Sequence, residues 1–281
     1  EKVIVMPPVY HPFHLTPQGN HREVVWNPLC KREDGYYDID FDNLAQVCDG
    51  KCRVLLLCNP HNPGGLVWKK ETLQRLADFC FDHHLLVVSD EIHADMPLFG
   101  HQHTPFASVS DKAAAISITF QAPTKTFNIA GIVSAYAIVP NENIRKVFFD
   151  WLAANELDEP HLFAPIATIA AFREGEAWRK QMIHYVERNI LFVEAFCQQH
   201  MPAIKPLRPQ ASFLIWLDCR ALHLSHDELL HLFIDEAHLA LNDGEMFGPG
   251  GEGYMRLNVG CPRKLVEQAL QQLCEAVQHH V

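Results

Sequence analysis

Leu85-Leu86-Val87-Val88-Ser89-Asp90-Glu91-Ile92-His93 is an apolar run that ends on two adjacent carboxylates. A run apolar on both faces suits a strand buried on both sides, as in a parallel sheet. Runs of the same kind occupy residues 3–6, 54–58, 115–120 and 132–139. Between two of them, residues 70–83 carry Leu73, Leu76, Ala77 and Cys80 at helical spacing. Strands alternating with helical patterns predict an α/β domain with a mainly parallel sheet over residues 1–150.

The pattern changes beyond residue 140. Residues 141–154 and 165–199 are expected to be helical, with an interruption near Glu159-Pro160. Ala167, Ala170 and Ala171 permit close helix packing, and Ile190, Leu191, Val193, Ala195 and Phe196 suit a long bridging helix. From residue 203 the chain reads as α+β. Strands are expected at 212–217 and 255–259, and a helix at 226–237 with Ser225 as its cap. A glycine-rich loop at 248–253 and a closing amphipathic helix at 264–279 complete it. The expected division is a large domain, 1–150, and a smaller α+β domain, 151–281.

Of the 281 residues, 48% are hydrophobic and 20% charged, which supports a sizeable core, and the net charge is −11. No basic stripe is present, which argues against nucleic acid and anionic membranes as partners. The apolar run at 3–6 is too short to span a membrane and lacks the features of a signal peptide. A buried strand with no lead-in predicts that the natural chain begins further upstream. Nine cysteines, an odd count without a CxxC, are expected to be reduced and mostly buried in a cytoplasmic protein. Eighteen histidines form no HExxH, and His101 and His103 have no cysteine or carboxylate close by in sequence, so no metal site is expected.

Polar landmarks follow successive apolar runs. Tyr10 follows the first, Asn62 the second, Asp90 ends the third and Lys125 follows the fourth. Ligands of open parallel sheets bind outside the carboxyl ends of the strands, so these side chains are expected to converge. Their types suit one cofactor. An amine forms an imine with a carbonyl, and a carboxylate keeps a pyridine nitrogen protonated. An amide bonds a phenolic oxygen, and an aromatic face stacks on the ring.

Asn59-Pro60-His61-Asn62-Pro63-Gly64-Gly65, the Ser89–Met96 stretch (SDEIHADM), the 123–131 stretch (PTKTFNIAG) and the 254–263 stretch (YMRLNVGCPR) carry a resemblance. Together they resemble fold-type I pyridoxal 5′-phosphate (PLP) enzymes of the class I/II aminotransferase superfamily, in its cystathionine β-lyase (C–S lyase) branch. The similarity spans essentially the whole chain. It implies that Lys125 holds PLP as a Schiff base and moves the α-proton. Asp90 pairs with the pyridine nitrogen, Asn62 binds the phenolic oxygen and Tyr10 stacks on the ring. Arg256 binds the substrate carboxylate, a task its forked guanidinium suits. His93 stands where many aminotransferases carry a tyrosine, and it marks the lyase-like branch.

The resemblance also implies a homodimer and a phosphate loop upstream of residue 3. Ala122 departs from a serine common among relatives, and Thr124 is expected to supply a hydroxyl to the phosphate instead. The implied reaction is α,β-elimination on L-cystathionine or an S-substituted L-cysteine, giving a thiol, pyruvate and ammonia. An aminotransferase shares the first half of this chemistry and stays open as an alternative. So does a truncated, non-catalytic or regulatory protein on the same scaffold. Read singly, Lys125 is a surface lysine, Asn62 a turn former, Arg256 an ion-pair partner, and Tyr10 and His93 packing residues. Glu91 is expected to be structural.

Overall fold

The computed structural model describes residues 1–278. Among these, the strands are β1 (Lys2–Val5), β2 (Glu23–Trp26), β3 (Cys30–Lys31), β4 (Tyr37–Asp38), β5 (Cys52–Cys58), β6 (Leu86–Asp90), β7 (Ser117–Gln121), β8 (Tyr136–Ile138), β9 (Lys205–Leu207), β10 (Leu214–Asp218), β11 (Asn242–Asp243) and β12 (Tyr254–Asn258). The α-helices are α1 (Pro12–Gly19), α2 (Phe41–Val47), α3 (Lys70–Asp82), α4 (Asp111–Ala115), α5 (Pro123–Thr126), α6 (Glu142–Ala154), α7 (Ala164–Glu174), α8 (Glu176–His200), α9 (His226–His231) and α10 (Arg263–Gln278). No described helix is long and apolar enough to cross a membrane.

One sheet runs β2-β1-β5-β6-β7-β8. Its pairs are parallel up to β7, and β8 closes the edge antiparallel. This is the α/β architecture the apolar runs predict. Ile4, Leu55, Leu57 and Val87 are fully buried in it, and α3 covers it with the stripe Leu73, Leu76, Ala77 and Cys80. A second, antiparallel sheet runs β11-β12-β10-β9. Its core gathers Ile190 and Val193 of α8, Ile215 and Leu217 of β10, and Leu270 and Leu273 of α10.

Several elements differ from their sequence expectation for identifiable reasons. The run at 132–139 shortens to β8, because residues 130–132 form a 3₁₀ turn and Val133 adopts a left-handed φ of 49°. The continuous helix expected over 165–199 breaks at Gly175 into α7 and α8. A Cβ there would lie 2.4 Å from both the Ala171 carbonyl oxygen and the Phe127 ring. The helix expected over 226–237 starts on a Ser225–Glu228 capping box, as its cap predicts, then widens into a π turn over Leu232–Glu236. The closing helix is described to Gln278, and position 279 lies outside the described residues. Strand β2, only four residues long and opening on Glu23 after Arg22, carries too short an apolar pattern to stand out.

The carboxyl ends of β5, β6 and β7 are tied by Glu91, which is 1% exposed. Its Oε1 accepts from Ser89 Oγ at 2.9 Å, the Phe106 amide at 2.8 Å and Asn59 Nδ2 at 3.4 Å. Its Oε2 accepts from His103 Nε2 at 2.8 Å and, at 3.5 Å, from Gln121 Nε2. A carboxylate only accepts, so this contact assigns the imidazole proton to Nε2. The Glu91 amide donates to Phe120 of β7. Asp90 is its neighbour on the strand, and the pleat turns successive side chains to opposite faces. The expectation of a structural role for Glu91 fits this geometry. Glu91→Ala removes the acceptor from these buried donors. It is expected to lower unfolding free energy in a urea titration by about 3–5 kcal/mol; a loss below ~1 kcal/mol would show that the carboxylate does not hold the strand ends.

Candidate active site

A cavity of about 250 Å³ opens at the carboxyl ends of β1, β5, β6 and β7. It is lined by Tyr10, Cys58, Asn62, Asp90, Ile92, His93, Lys125, Phe213, Leu214, Arg256 and Asn258. Six of the seven site residues singled out from sequence thus lie around one space. The seventh, Thr124, lines a neighbouring cavity of about 430 Å³ that shares Lys125, Phe213 and Asn258 with the first.

Local structure explains each placement. The chain leaves β5 at Cys58 and turns through 59–65. Asn62 is fixed there from several sides: its amide donates to Cys58 Sγ at 3.3 Å, its carbonyl accepts from the Tyr10 amide at 3.0 Å, and its Oδ1 accepts from Arg256 Nη1 at 2.8 Å. Gly65 has a φ of 63°, and a Cβ there would lie 2.5 Å from Pro209 Cβ. Its carbonyl accepts from the amides of Gln210 and Ala211, which brings the segment leading into β10 against the turn that follows β5. Lys125 projects from the short helix α5, which Pro123 starts at its first turn, a position that needs no amide donor.

Arg256 comes from β12. Its Nη2 donates to Asn242 Oδ1 at 2.7 Å, and its guanidinium lies over the Phe247 ring, 4.8 Å from the centroid. Its Nε is buried without a hydrogen-bond partner among the described residues. Burial lowers the proton affinity of this guanidinium. The two Asn contacts use one N–H on each terminal nitrogen, so the fork retains donors for an anion.

Charges in the cavity are set by burial and by one another. Burial raises the Asp90 pKa above the usual carboxylate range, and the Glu91 charge adds to this. The Ile92 amide, donating to Oδ1 at 3.2 Å, and the Lys125 charge oppose it. A carboxyl of raised proton affinity shares a proton readily with a basic nitrogen set against it. His93 is held neutral: burial, then the positive charges of Lys125 and Arg256, lower its pKa to about 3. Its Nδ1 is buried and has no partner among the described residues. Burial pushes the Cys58 thiol up, so it stays protonated.

Amine, buried carboxyl, amide, aromatic ring and free-ended guanidinium are the set of groups a substituted pyridine aldehyde and an amino-acid carboxylate require. The unpartnered His93 Nδ1 and Arg256 Nε are the buried atoms that such ligands would satisfy. Sequence reasoning passed over Cys58, Phe213 and Asn258. Asn258 was reachable, because it follows Arg256 by two positions on one strand and shares its face. Phe213 carries no chemical signal. The bridge between Pro97 and Ala211 and the Ser212 amide's bond to the Met96 carbonyl bring it to the cavity.

The family model for aminotransferase class I and II matches residues 1–273. Cystathionine beta-lyase PatB of Bacillus subtilis (strain 168) is 43% identical over 278 residues, which are 99% of this chain and 72% of that protein. Cystalysin from Treponema denticola, whose crystal structure contains a pyridoxal 5′-phosphate cofactor, superposes with a TM-score of 0.96 at 33% identity, over 99% of this chain and 71% of that one. The PLP-bound C–S lyase from Staphylococcus hominis gives 0.89 at 30% identity, over 99% and 72%.

Two buried imidazoles set an acid limit on the fold. His61 beside β5, like His93, is held neutral by burial, with a pKa lowered to about 4. The unfolded chain binds these protons below the ordinary value of 6.5 and the folded chain only near 4 and 3. The stability they contribute is therefore complete above 6.5 and is lost as pH falls through that window. In denaturant titrations at stepped pH, His61→Phe is expected to flatten the fall between pH 6.5 and 4; an unchanged slope would rule out His61 as a source of it.

Proposed function

The chain belongs to the class I and II aminotransferase family, and on that footing we propose that it is a PLP-dependent carbon–sulfur β-lyase acting on L-cystathionine or a related S-substituted L-cysteine. One observation carries the reading: Lys125, Asp90 and Arg256 line a single cavity at the ends of the parallel strands. When bound, PLP supplies an electron sink conjugated to the substrate's α-carbon.

The chain's own residues supply the rest. Lys125 is the amine that holds the cofactor and the base that takes the α-proton. Asp90 would keep a proton on the ring nitrogen. Asn62 would donate through its side-chain Nδ2 to the phenolic oxygen while its Oδ1 stays on Arg256. Tyr10 would cover a face of the ring, and neutral His93 lines the same cavity without adding charge. Thr124 is the hydroxyl assigned to the phosphate. Arg256 fixes the substrate carboxylate, which orients the Cα–H bond for removal. The elimination consumes water and releases a thiol, pyruvate and ammonium.

The division into a cofactor-binding unit, 1–150, and a smaller unit, 151–281, is part of this proposal; Phe213, Arg256 and Asn258 come from the second. A homodimer is the proposed assembly. Val147, Trp151, Phe163, Ile166 and Ile169 stand exposed on and beside α6 and α7, apolar surface of the kind subunit interfaces use. A cytoplasmic location is supported by the nine cysteines, all free.

Purified protein supplied with PLP and L-cystathionine, but no 2-oxo acid, is expected to release pyruvate in a lactate dehydrogenase-coupled assay. Strict dependence on an added 2-oxo acid would make it an aminotransferase. Neither activity nor an absorbance band near ~420 nm, the band expected of an imine, would favour the non-catalytic reading. Lys125→Ala is expected to lose that band and at least ~10²-fold in kcat. Arg256→Ala is expected to raise KM for the amino acid, read from the same assay.

A further inference from the structure

The lining of the cavity beside Lys125 differs in character from that of the first. Its walls include Trp178, Met182, Tyr185 and Val186 from α8, together with Cys261 and Pro262. Lys125 is the only charged side chain among its lining residues. Two of its polar groups are engaged: the Tyr185 hydroxyl accepts from the Arg263 amide at 2.7 Å, and Asn258 Oδ1 accepts from the Gly260 amide at 2.8 Å; Thr126 Oγ1 is buried without a partner among the described residues. Arg263 itself is turned away, with Nε on Asn189 Oδ1 and Nη2 on the Arg188 carbonyl.

We infer that the α8 side of this second cavity, away from the Thr124 assigned to the phosphate, receives the sulfur substituent of the substrate, and that it selects uncharged, apolar S-substituents over the zwitterionic end of L-cystathionine. The inference rests on the lyase reading above. At about 250 Å³ the first cavity is smaller than the ~300–1,000 Å³ typical of ligand pockets. With its neighbour of about 430 Å³ the combined space falls within that range. The reacting carbon sits against Lys125 whichever substrate is used, and the sulfur follows it by a single carbon. Lys125, Phe213 and Asn258 are common to both cavities, so a group on sulfur continues from one into the other.

An alkyl or aryl group there meets Trp178, Met182 and Val186 and leaves water. The distal ammonium and carboxylate of cystathionine find no carboxylate in the lining, and no cation except the Lys125 amine, which the reaction uses. A charge that loses water without gaining a partner is disfavoured. A site without matching polar groups therefore discriminates through what it fails to satisfy.

The test compares S-benzyl-L-cysteine with L-cystathionine on the PLP-loaded protein. Pyruvate release is expected to give a kcat/KM higher by ~tenfold or more for the benzyl substrate. Met182→Lys, which places a cation in the cavity, is expected to reverse the preference toward cystathionine. A second readout needs no turnover. Cys261 lines the cavity and is partly exposed, so N-ethylmaleimide labelling of its peptide, followed by mass spectrometry, is expected to slow with S-benzyl-L-cysteine in the inactive Lys125→Ala protein. Equal or better use of cystathionine by the wild-type protein, or Cys261 labelling unaffected by the benzyl compound, overturns the inference and leaves the lyase reading standing. Pyruvate from neither substrate overturns the lyase reading and this inference with it.

Discussion

Two adjacent carboxylates at the end of β6 face opposite ways, and the site depends on that alternation. Glu91 turns into a shell of buried donors from Ser89, Asn59, His103 and Phe106. Asp90, with Lys125 across from it, turns into the cavity. The pleat forces the opposition, and a slip of register by one residue would exchange the two. The donors around Glu91 make such a slip costly, since each would be left buried and unpaired. A structural carboxylate thus fixes where the chemical one points.

The cavity also needs the second sheet. Leu98, Met96 and Gly65 on one side meet Gln210, Ala211 and Ser212 on the other through main-chain hydrogen bonds. These bonds set Phe213 and β10 against the ends of the parallel strands, and β12 follows by pairing with β10. Arg256 reaches the cavity only because this chain of pairings places it there. Main-chain contacts carry the placement, while the side chains that arrive provide the charge.

Much of this was legible before the structure. The apolar runs announce strands buried on both faces, and their polar successors Tyr10, Asn62, Asp90 and Lys125 mark the ligand-facing ends. Arg256 and His93 came from motif resemblance and carry no such local signal. What stayed hidden is non-local. Nothing around Gly175 reveals that Phe127 will occupy its Cβ position, and nothing near Phe213 reveals the strand bridge at Pro97. Thr124 sits one residue from Lys125, yet it lines only the neighbouring cavity, whereas Lys125 lines both. Adjacent positions on a short helical turn point in different directions.

The bond from Arg256 to Asn62 joins residues 194 positions apart. Each satisfies a buried group on the other, so replacing either one leaves its partner's polar atom stranded. Effects of changes at the two places are therefore non-additive. For the gene this couples two distant codons: a change at one alters which changes the other tolerates.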